Sequence, residues 1–332
     1  MMQRIKIVQI GMNTLSHCGQ IFQRLGSMSD IFELVGYVLP ENERERLPHR
    51  MAELSAYPEL TLDEVLSDPE IEAVVVETEE IFCTKYALLA AQAGKHVYME
   101  KPGGRELADF EKLVETVQRT GKVFHTGYMY RYNPMIRELI EKARAGELGE
   151  IISVEAQMNC LHTPKNRQWL ADFPGGMMFF LGCHLVDLVV QIQGFPEKII
   201  PLNRSTGLDG VTAQDFGMAV MEYPHGVSFV KTTAVEKGGY LRRQLVVTGS
   251  KGMVEIKPLE RGAENAMRTE QTVYTADGWN EPGEHSVLEG HDRYADMLAS
   301  FAAMVRGEKE NPWSPEYELE VYKTVLRCCG AL

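Results

Sequence analysis

Short apolar segments alternate with helical segments over the first 126 residues, and this alternation limits the possible folds more than any other feature of the sequence. Helical stretches separate the strand-like segments, and one of them opens with a Thr61–Glu64 capping box. Strand–helix–strand units are almost always right-handed and build a parallel sheet that takes ligands at the carboxyl ends of its strands. The sequence predicts an α/β fold that begins with a doubly wound parallel sheet, with strands at 4–10, 32–39, 71–77, 95–100 and 122–126.

The pattern changes beyond residue 126. Helices are predicted at 134–144 and 177–193, among strand-like segments at 150–158, 216–223, 226–234, 241–248 and 252–257. The later strands follow one another through short turns, which indicates an open, mostly antiparallel sheet. We therefore expect two domains, one over 1–126 and an α+β domain over 127–332. A final helix at 315–329 could pack on either domain.

Charge and composition exclude several classes of protein. The chain has 332 residues with a formal net charge of −13, so its surface repels nucleic acid and anionic lipid. No apolar stretch approaches the about 20 residues of a membrane span, and the first strand lacks a signal-peptide pattern, so we expect a cytoplasmic protein with no membrane partner. Four of the six cysteines are scattered, Cys328 and Cys329 are adjacent in a helical segment, and we expect all six to be buried free thiols. The spacing of the nine histidines supports no metal site.

The first strand ends in a turn that reads Gly11-Met12-Asn13-Thr14-Leu15-Ser16. Compared with the dinucleotide fingerprint G-x-G-x-x-G, it keeps one glycine of three. Asn tolerates left-handed backbone and Ser is small, so the turn could still bring backbone N–H groups to a pyrophosphate. An ordinary strand-to-helix turn is the alternative interpretation.

The end of the second strand offers Glu41 as the acid that would bind the ribose hydroxyls of NAD. Arg44 and Arg46 follow closely and could equally meet the 2′-phosphate of NADP. The choice between NAD and NADP therefore stays open.

Glu100-Lys101-Pro102 ends the fourth strand, where a lysine would point to the nicotinamide position, and the proline allows a cis peptide bond. His184 lies in the apolar helix with Asp187 three residues later on the same face. A satisfied core histidine is the alternative for His184, as a surface lysine is for Lys101.

Two further segments carry candidate substrate contacts. Tyr130, Arg131 and Tyr132 begin the second domain, and the loop that contains Trp169 and Asp172 mixes an aromatic ring with polar groups suited to a sugar. For the segment 130–132 the alternative is a hydrophobic contact that links the domains. For the loop with Trp169 the alternative is an ordinary surface loop.

In combination these motifs resemble the glucose-fructose oxidoreductase/inositol dehydrogenase family, Gfo/Idh/MocA. The resemblance runs along the whole chain through AGKHVYMEKP (93–102), GYMYRYNP (127–134), GELGEIISVEA (146–156), PGGMMFFLGCHLVD (174–187) and VVTGSKGMVEI (246–256). It implies a Rossmann domain followed by an open α/β sheet domain that forms homodimers or homotetramers through its sheet.

The resemblance also implies hydride transfer between a nicotinamide and a hydroxyl-bearing carbon, with Lys101 and His184 as catalytic residues. It implies cofactor contacts at Gly11, Asn13, Thr14, Leu15, Glu41, Thr78, Glu100, Lys101 and Pro102. Candidate substrate contacts are Tyr130, Arg131, Trp169, Asp172, His184 and Asp187.

Three segments depart from the family pattern. Phe180 stands where the family has an Asp, Thr78-Glu79-Glu80 stands for Thr-Pro-Asn, and Cys83 replaces a later His. Glu79 and Glu80 would place negative charge near the cofactor, which is unfavourable for NADP.

These observations leave three hypotheses. The first is an NAD(P)-dependent oxidoreductase acting on a sugar, glycoside or cyclitol. The second is an enzyme that uses tightly bound NAD transiently to cleave or eliminate a glycosidic bond. The third is a cofactor-free binding or regulatory protein of the same fold.

Overall fold

The computed structural model describes residues 3–263, 266–278 and 280–332, with Ala263 described in its backbone only. Its strands are β1 (Ile5–Ile10), β2 (Phe32–Val38), β3 (Ala73–Val76), β4 (His96–Met99), β5 (Phe124–Thr126), β6 (Ile151–Asn159), β7 (Lys198–Pro201), β8 (Phe216–Tyr223), β9 (Gly226–Thr233), β10 (Gln244–Gly249), β11 (Gly252–Ile256), β12 (Arg261–Ala263), β13 (Ala266–Tyr274) and β14 (Glu284–Asp292).

The α-helices are α1 (Cys18–Ser27), α2 (Glu43–Arg46), α3 (Met51–Leu54), α4 (Leu62–Ser67), α5 (Glu80–Gln92), α6 (Leu107–Thr120), α7 (Pro134–Arg144), α8 (Pro164–Trp169), α9 (Cys183–Gln193), α10 (Ala295–Val305) and α11 (Pro315–Cys329). Short 3₁₀ turns lie at Pro48–Arg50, Met129–Tyr132, Leu170–Asp172, Leu208–Gly210 and Gly239–Arg242, and a π-helix covers Met178–Gly182.

Two compact units make up the chain. The first contains residues 1–128 and 294–320, and the second contains 129–293 and 321–332. This division differs from the sequence-based one, which gave 127–332 to the second domain and left open on which domain the helix at 315–329 packs. The reason is that α10 packs in the first unit, where Phe301 meets the ring of Tyr98 on β4 and Met297 accepts its hydroxyl hydrogen bond. The division falls within α11, between Glu320 and Val321.

The first unit is built on a parallel sheet with the strand order β2-β1-β3-β4-β5. Its middle strand β3 is buried at every position, as the continuous apolar run Ala73–Val76 requires. The strand order reverses between β1 and β3, and ligands of open α/β sheets bind at such a point, beyond the carboxyl ends of the strands. The predicted doubly wound sheet is confirmed, and so is the Thr61–Glu64 capping box.

The second unit carries a nine-stranded sheet. Its neighbours run antiparallel except for β6 and β9, which are parallel, so the predicted open, mostly antiparallel sheet is confirmed. Helix α9 is buried along most of its length. The helix expected at 177–193 is instead a π-helix at Met178–Gly182 that continues into α9.

Several elements of the second half have no counterpart in the sequence-based expectations: β7, β12, β13, β14 and α10. Strand β14 shows why, because its residues are exposed or half-buried and show no alternation of apolar and polar positions. Among the described residues, no helix is long and apolar enough to cross a membrane.

Candidate functional site

The turn between β1 and α1 comes close to the end of β3. Gly11 has φ +91°, and a Cβ on it would lie 2.7 Å from Thr78 Cα and 2.8 Å from Thr78 N. Both the backbone conformation and the space therefore require glycine here. The turn thus places Gly11 and Thr78, two of the predicted cofactor contacts, against each other.

Side chains of the same unit, two of them acidic, accept hydrogen bonds from the backbone amides of this turn. The Met12 amide donates to Glu43 Oε2 at 2.9 Å, and the Thr14 amide donates to Glu79 Oε1 at 2.8 Å. The Thr14 hydroxyl also donates to Glu79, and the Ser16 amide donates to Asn13 Oδ1 at 2.7 Å. Three amides at the position expected for a pyrophosphate therefore already have acceptors from the chain itself.

Glu41 lies just past the end of β2 in left-handed backbone, with φ +55°. Its Oε1 accepts hydrogen bonds from Lys85 Nζ at 2.6 Å and from the Tyr86 hydroxyl at 2.7 Å. These two bonds, the one from Lys85 first, lower the pKa of Glu41. An ionised acid is therefore fixed where an NAD-type ribose acceptor is expected.

The two arginines that could meet a 2′-phosphate have acidic neighbours. Arg44 pairs with Glu59, and the guanidinium of Arg46 lies 3.9 Å from carboxyl oxygens of both Glu43 and Glu79. Arg46 keeps 39% of its side chain exposed. Both arginines that could meet a 2′-phosphate therefore already face carboxylates of the chain.

Lys101 is buried at the carboxyl end of β4, beside Glu100. Its Nζ lies 3.4 Å from Glu100 Oε1, and the same oxygen accepts a hydrogen bond from the Ser16 hydroxyl at 2.7 Å. Glu100 thereby links Lys101 to the first turn of the domain. The Lys101–Pro102 peptide bond is cis, the isomer that the sequence allowed.

Two further acids, Glu77 and Glu80, are fully buried near Lys101. No oxygen of either carboxyl group has a hydrogen-bond partner within the described part of the chain. Burial raises the pKa of Glu80 to about 8, although the Lys101 charge opposes the rise. Burial, together with Glu100 and Glu80, raises the pKa of Glu77 well above its usual range. Glu80 is therefore mostly protonated at neutral pH, and it adds less negative charge than the sequence suggested.

His184 is buried in the first turn of α9 in the second unit. The Tyr130 ring meets its imidazole edge-on, with ring centroids 5.2 Å apart and an interplanar angle of 87°. Burial, followed by the Glu260 charge, raises the pKa of the Tyr130 hydroxyl well above its ordinary value. Tyr130 therefore presents a neutral phenol to the histidine.

Arg131 and Asp187, both predicted as substrate contacts, bind each other. Arg131 Nη2 donates to Asp187 Oδ1 at 2.6 Å, and Arg131 Nε donates to Oδ1 and Oδ2 at 3.0 and 3.1 Å. Both side chains are fully buried. The pair fixes the 3₁₀ turn that carries Tyr130 against the helix that carries His184.

Phe180 belongs to an aromatic cluster with Trp169 and Phe173. Its ring meets Trp169 at 5.0 Å, nearly perpendicular, and lies almost parallel to Phe173 at 6.1 Å. Trp169 is half-buried in this cluster, while Asp172 is exposed. The residue that stands for the family Asp is thus part of an apolar contact.

The structure brings the predicted residues together in two groups, one in each unit. Gly11, Asn13, Thr14, Leu15, Thr78, Glu100, Lys101 and Pro102 gather where β1, β3 and β4 end. Tyr130, Arg131, His184 and Asp187 gather at the start of α9. Glu43 and Glu77 were missed, because an acid in a charged segment and an acid at the last position of a strand are both usually solvated. Within the described residues, no group of three or more His, Cys, Asp or Glu could hold a metal.

Comparison with known families decides the assignment. The family described as "Oxidoreductase family, NAD-binding Rossmann fold" matches residues 5–128, and the "GFO/IDH/MocA C-terminal domain" matches residues 136–255. The chain belongs to the GFO/IDH/MocA family of oxidoreductases. The predicted resemblance is thereby confirmed, and so are the NAD-binding Rossmann domain and the class of enzyme.

Individual relatives are distant. An uncharacterised oxidoreductase of Rhizobium meliloti is 28% identical over 200 residues, which are 59% of this chain and 58% of that protein. Trans-1,2-dihydrobenzene-1,2-diol dehydrogenase of Bos taurus is 25% identical over 320 residues, which are 91% of this chain and 92% of that enzyme. An inositol dehydrogenase homologue of Azotobacter vinelandii, solved with NAD⁺, has a TM-score of 0.79 at 19% identity and covers 99% of this chain and 95% of its own. That likeness supports the fold.

The first unit fits a dinucleotide in its strand order, in the close approach of Gly11 to Thr78 and in the placement of Glu41. Gly11, Asn13, Thr14 and Leu15 would hold the pyrophosphate, and Glu41 would hold the adenosine ribose. The amide acceptors supplied by Glu43 and Glu79 distinguish this chain from that general pattern.

Proposed function

We propose that this protein is an NAD(P)-dependent oxidoreductase that transfers a hydride between the nicotinamide and a hydroxyl-bearing carbon of a sugar, glycoside or cyclitol. The observation that carries the proposal is Lys101, a buried lysine at the carboxyl end of β4 in an NAD-binding domain. A relative over most of the chain is a dehydrogenase whose name describes a ring with two hydroxyl groups. This supports a cyclic alcohol as the substrate class.

The cofactor, when bound, supplies the hydride acceptor, and the side chains manage the oxygen and its proton. Lys101 donates an N–H to the substrate oxygen and stabilises the negative charge that grows there. Glu100, 3.4 Å from its amine, holds Lys101 in place. Thr78 and Pro102 border the nicotinamide end of the site.

His184 accepts the hydroxyl proton as the hydride leaves, since an imidazole is the usual general base near neutral pH. Tyr130 orients its ring through the edge-on contact. Arg131 and Asp187 act through their mutual ion pair, which fixes the segments that carry Tyr130 and His184. Trp169 and Asp172 are the proposed sugar contacts, one as a stacking surface and one as a hydrogen-bond acceptor.

The first experiment identifies the cofactor. The purified protein is denatured and the released dinucleotide is identified by chromatography, while melting shifts are measured with NAD(H) and NADP(H). We expect a bound dinucleotide, a stabilising shift or both. Neither bound dinucleotide nor a shift would overturn the oxidoreductase proposal and favour a cofactor-free binding protein.

The second experiment tests the role of Lys101. Reduction of NAD(P)⁺ is followed with a panel of sugars, glycosides and cyclitols for the unchanged protein, Lys101→Ala and the exposed control Lys112→Ala. We expect a loss of about 10²-fold or more in Lys101→Ala, with little change in the control. Full activity in Lys101→Ala contradicts its assignment. Release of an aglycone without net change in cofactor would instead support the transient use of NAD in glycoside cleavage.

Oligomer formation through the sheet of the second unit is a further part of the proposal, as is a cytoplasmic location. Val220 on β8 pairs directly with Phe229 on β9, and both side chains are half-buried. The same row continues through Glu155 on β6 to Val246 on β10, so this face carries apolar side chains next to a charged one. An acidic protein is expected to cover these apolar side chains. Light scattering after size exclusion should give a dimer or tetramer, and a monomer at all concentrations would contradict it.

A further inference from the structure

The side chain of Glu79, at the start of α5, contacts Thr14 in the turn between β1 and α1. Its Oε1 accepts the Thr14 amide at 2.8 Å and also accepts the Thr14 hydroxyl. Glu79 is the N-cap residue of α5, yet its side chain makes no capping hydrogen bond with that helix. The carboxyl group of this buried acid is therefore bound to a loop 65 residues earlier and does not cap its own helix.

The loop that it serves is the one that would bind a pyrophosphate. Backbone N–H groups that precede a helix form the standard anion site of a Rossmann domain. Thr14 stands three residues after Gly11 in this loop, and its amide and hydroxyl are the donors that Glu79 holds. A carboxylate and a phosphate oxygen are alternative acceptors for such donors, so the two compete.

We infer that Glu79 occupies the pyrophosphate position of the first turn and thereby sets the affinity of this chain for its dinucleotide. The inference rests on the proposed function in so far as a dinucleotide is the cofactor. Binding requires Glu79 to give up two hydrogen bonds to Thr14, and the displaced carboxylate then stays near an anion. Arg46, whose guanidinium lies 3.9 Å away, offers the displaced group a positive charge.

Glu43, the other acid on the turn, has a different character. It accepts the Met12 amide at 2.9 Å and is fully buried. Burial raises its pKa to about 8, so at neutral pH it is mostly a neutral acid that does not repel a phosphate. The competition is assigned to Glu79, which accepts both donors of Thr14 whereas Glu43 accepts a single amide, and Glu43 provides a matched comparison within the same turn.

The test measures binding of NADH, NADPH and ADP-ribose by calorimetry to the full chain, with adenosine as a probe that lacks phosphate. The variants are Glu79→Gln, Glu79→Ala and Glu79→Asp, whose shorter side chain loses the reach to Thr14 but favours helix capping. The controls are Glu43→Gln and Glu33→Gln, an exposed acid near the start of β2 that pairs with Arg4.

We expect Glu79→Gln and Glu79→Ala to bind NADH and ADP-ribose about tenfold more tightly or better, because hydrogen bonds to a charged group no longer have to be broken. Glu79→Asp should show a smaller gain, since its charge remains. Adenosine binding should not change in any variant, and both controls should stay within about threefold of the unchanged protein. If the Gln or Ala variant does not fold, Glu79→Asp still carries the test.

The outcomes separate this inference from the proposed function. Unchanged affinity for NADH in folded Glu79 variants, with hydride transfer intact in the unchanged protein, overturns the inference and leaves the function. An equal gain for adenosine also overturns it, because the effect would then not lie at the pyrophosphate. Absence of dinucleotide binding in every variant overturns both.

Discussion

Arg131 donates hydrogen bonds to both carboxylate oxygens of Asp187 in the interior of the second unit, from Nη2 to Oδ1 at 2.6 Å and from Nε to Oδ2 at 3.1 Å. Arg131 directly follows Tyr130, and Asp187 lies three residues after His184 in α9. The ion pair therefore joins the two segments whose rings meet edge-on. Two residues that the sequence predicts as substrate contacts thereby also support the segment that carries the histidine.

Replacing Asp187 by Asn should destabilise the protein strongly. The change leaves the Arg131 charge buried without its counter-charge, which costs about 3–5 kcal/mol. Urea unfolding measures the loss in the free energy of unfolding. Glu33→Gln, which breaks the exposed Arg4–Glu33 pair, is the control and should cost under about 1 kcal/mol. A loss for Asp187→Asn as small as that of the control would show that the buried pair is not a structural anchor.

Glu80 should make the protein less stable as the pH rises. It ionises near 4.5 in the unfolded chain and at about 8 in the folded one, because it is fully buried. Between these values the folded state holds a proton that the unfolded state has released, so the free energy of unfolding falls as pH increases and levels off above pH 8. The groups around it are the carboxyls of Glu77, Glu79 and Glu100, the Cys83 thiol and the Lys101 ammonium.

Glu80→Gln removes this dependence. Between pH 5 and pH 7 the free energy of unfolding of the unchanged protein should fall by about 3 kcal/mol more than that of the variant. Urea unfolding at each pH measures both changes. Glu115→Gln makes the same substitution on the exposed side of α6 and serves as the control. The same pH slope in Glu80→Gln and in the unchanged protein would mean that Glu80 is ionised in the folded state.

The parallel sheet of the first unit could be predicted because its strands are short apolar runs between helices with clear periodicity. Helices α7 and α11 were predicted to the residue, since a Pro opens each of them. Strand β14 was not, because it pairs only along β13 off the main sheet path and none of its residues is buried. Strand β13 lies between β12 and β11 and does alternate in burial, but two of its buried residues are the polar Thr269 and Gln271, so no apolar alternation marks it in the sequence.

The site was predictable only where a motif marks it. Lys101 and His184 stand in motifs, whereas the partners of the turn depend on the tertiary fold: Glu79 is 65 residues from Thr14, and Glu43 is 31 residues from Met12. Glu79 was noted only as unfavourable charge, and Glu43 was not noted. Which acid meets which amide follows from how β2 and β3 flank β1, and such pairings cannot be read from one sequence.

Restoring the family acid at position 180 should cost stability. Phe180→Asp places a carboxyl group between Trp169 and Phe173 and removes two ring contacts, a loss of about 3–5 kcal/mol. Phe195→Asp, the same change where 43% of the residue is exposed, should cost clearly less than Phe180→Asp. Thermal melting of both variants checks this. Equal melting temperatures would show that the cluster does not depend on Phe180.

The thiols should be almost inert in the folded protein. All six cysteines are free, five of them are buried, and Cys160 is half-buried. Burial raises the pKa of Cys160 to about 11 and raises that of Cys18 further above its ordinary range. Because the thiolate is the reactive form and little of it is present at pH 8, a disulfide reagent such as Ellman's should react slowly with the folded protein.

Cys160 should therefore react first and slowly, and Cys160→Ser should remove that phase. Cys18→Ser is the matched control at a buried position and should leave the phase unchanged, because Cys18 is buried at the start of α1. In denaturant all six thiols should react at once, which counts them and excludes a disulfide. Fast reaction of two or more thiols in the folded protein would contradict the burial on which this expectation rests. If the first phase persists in Cys160→Ser, the first-reacting thiol belongs to another cysteine.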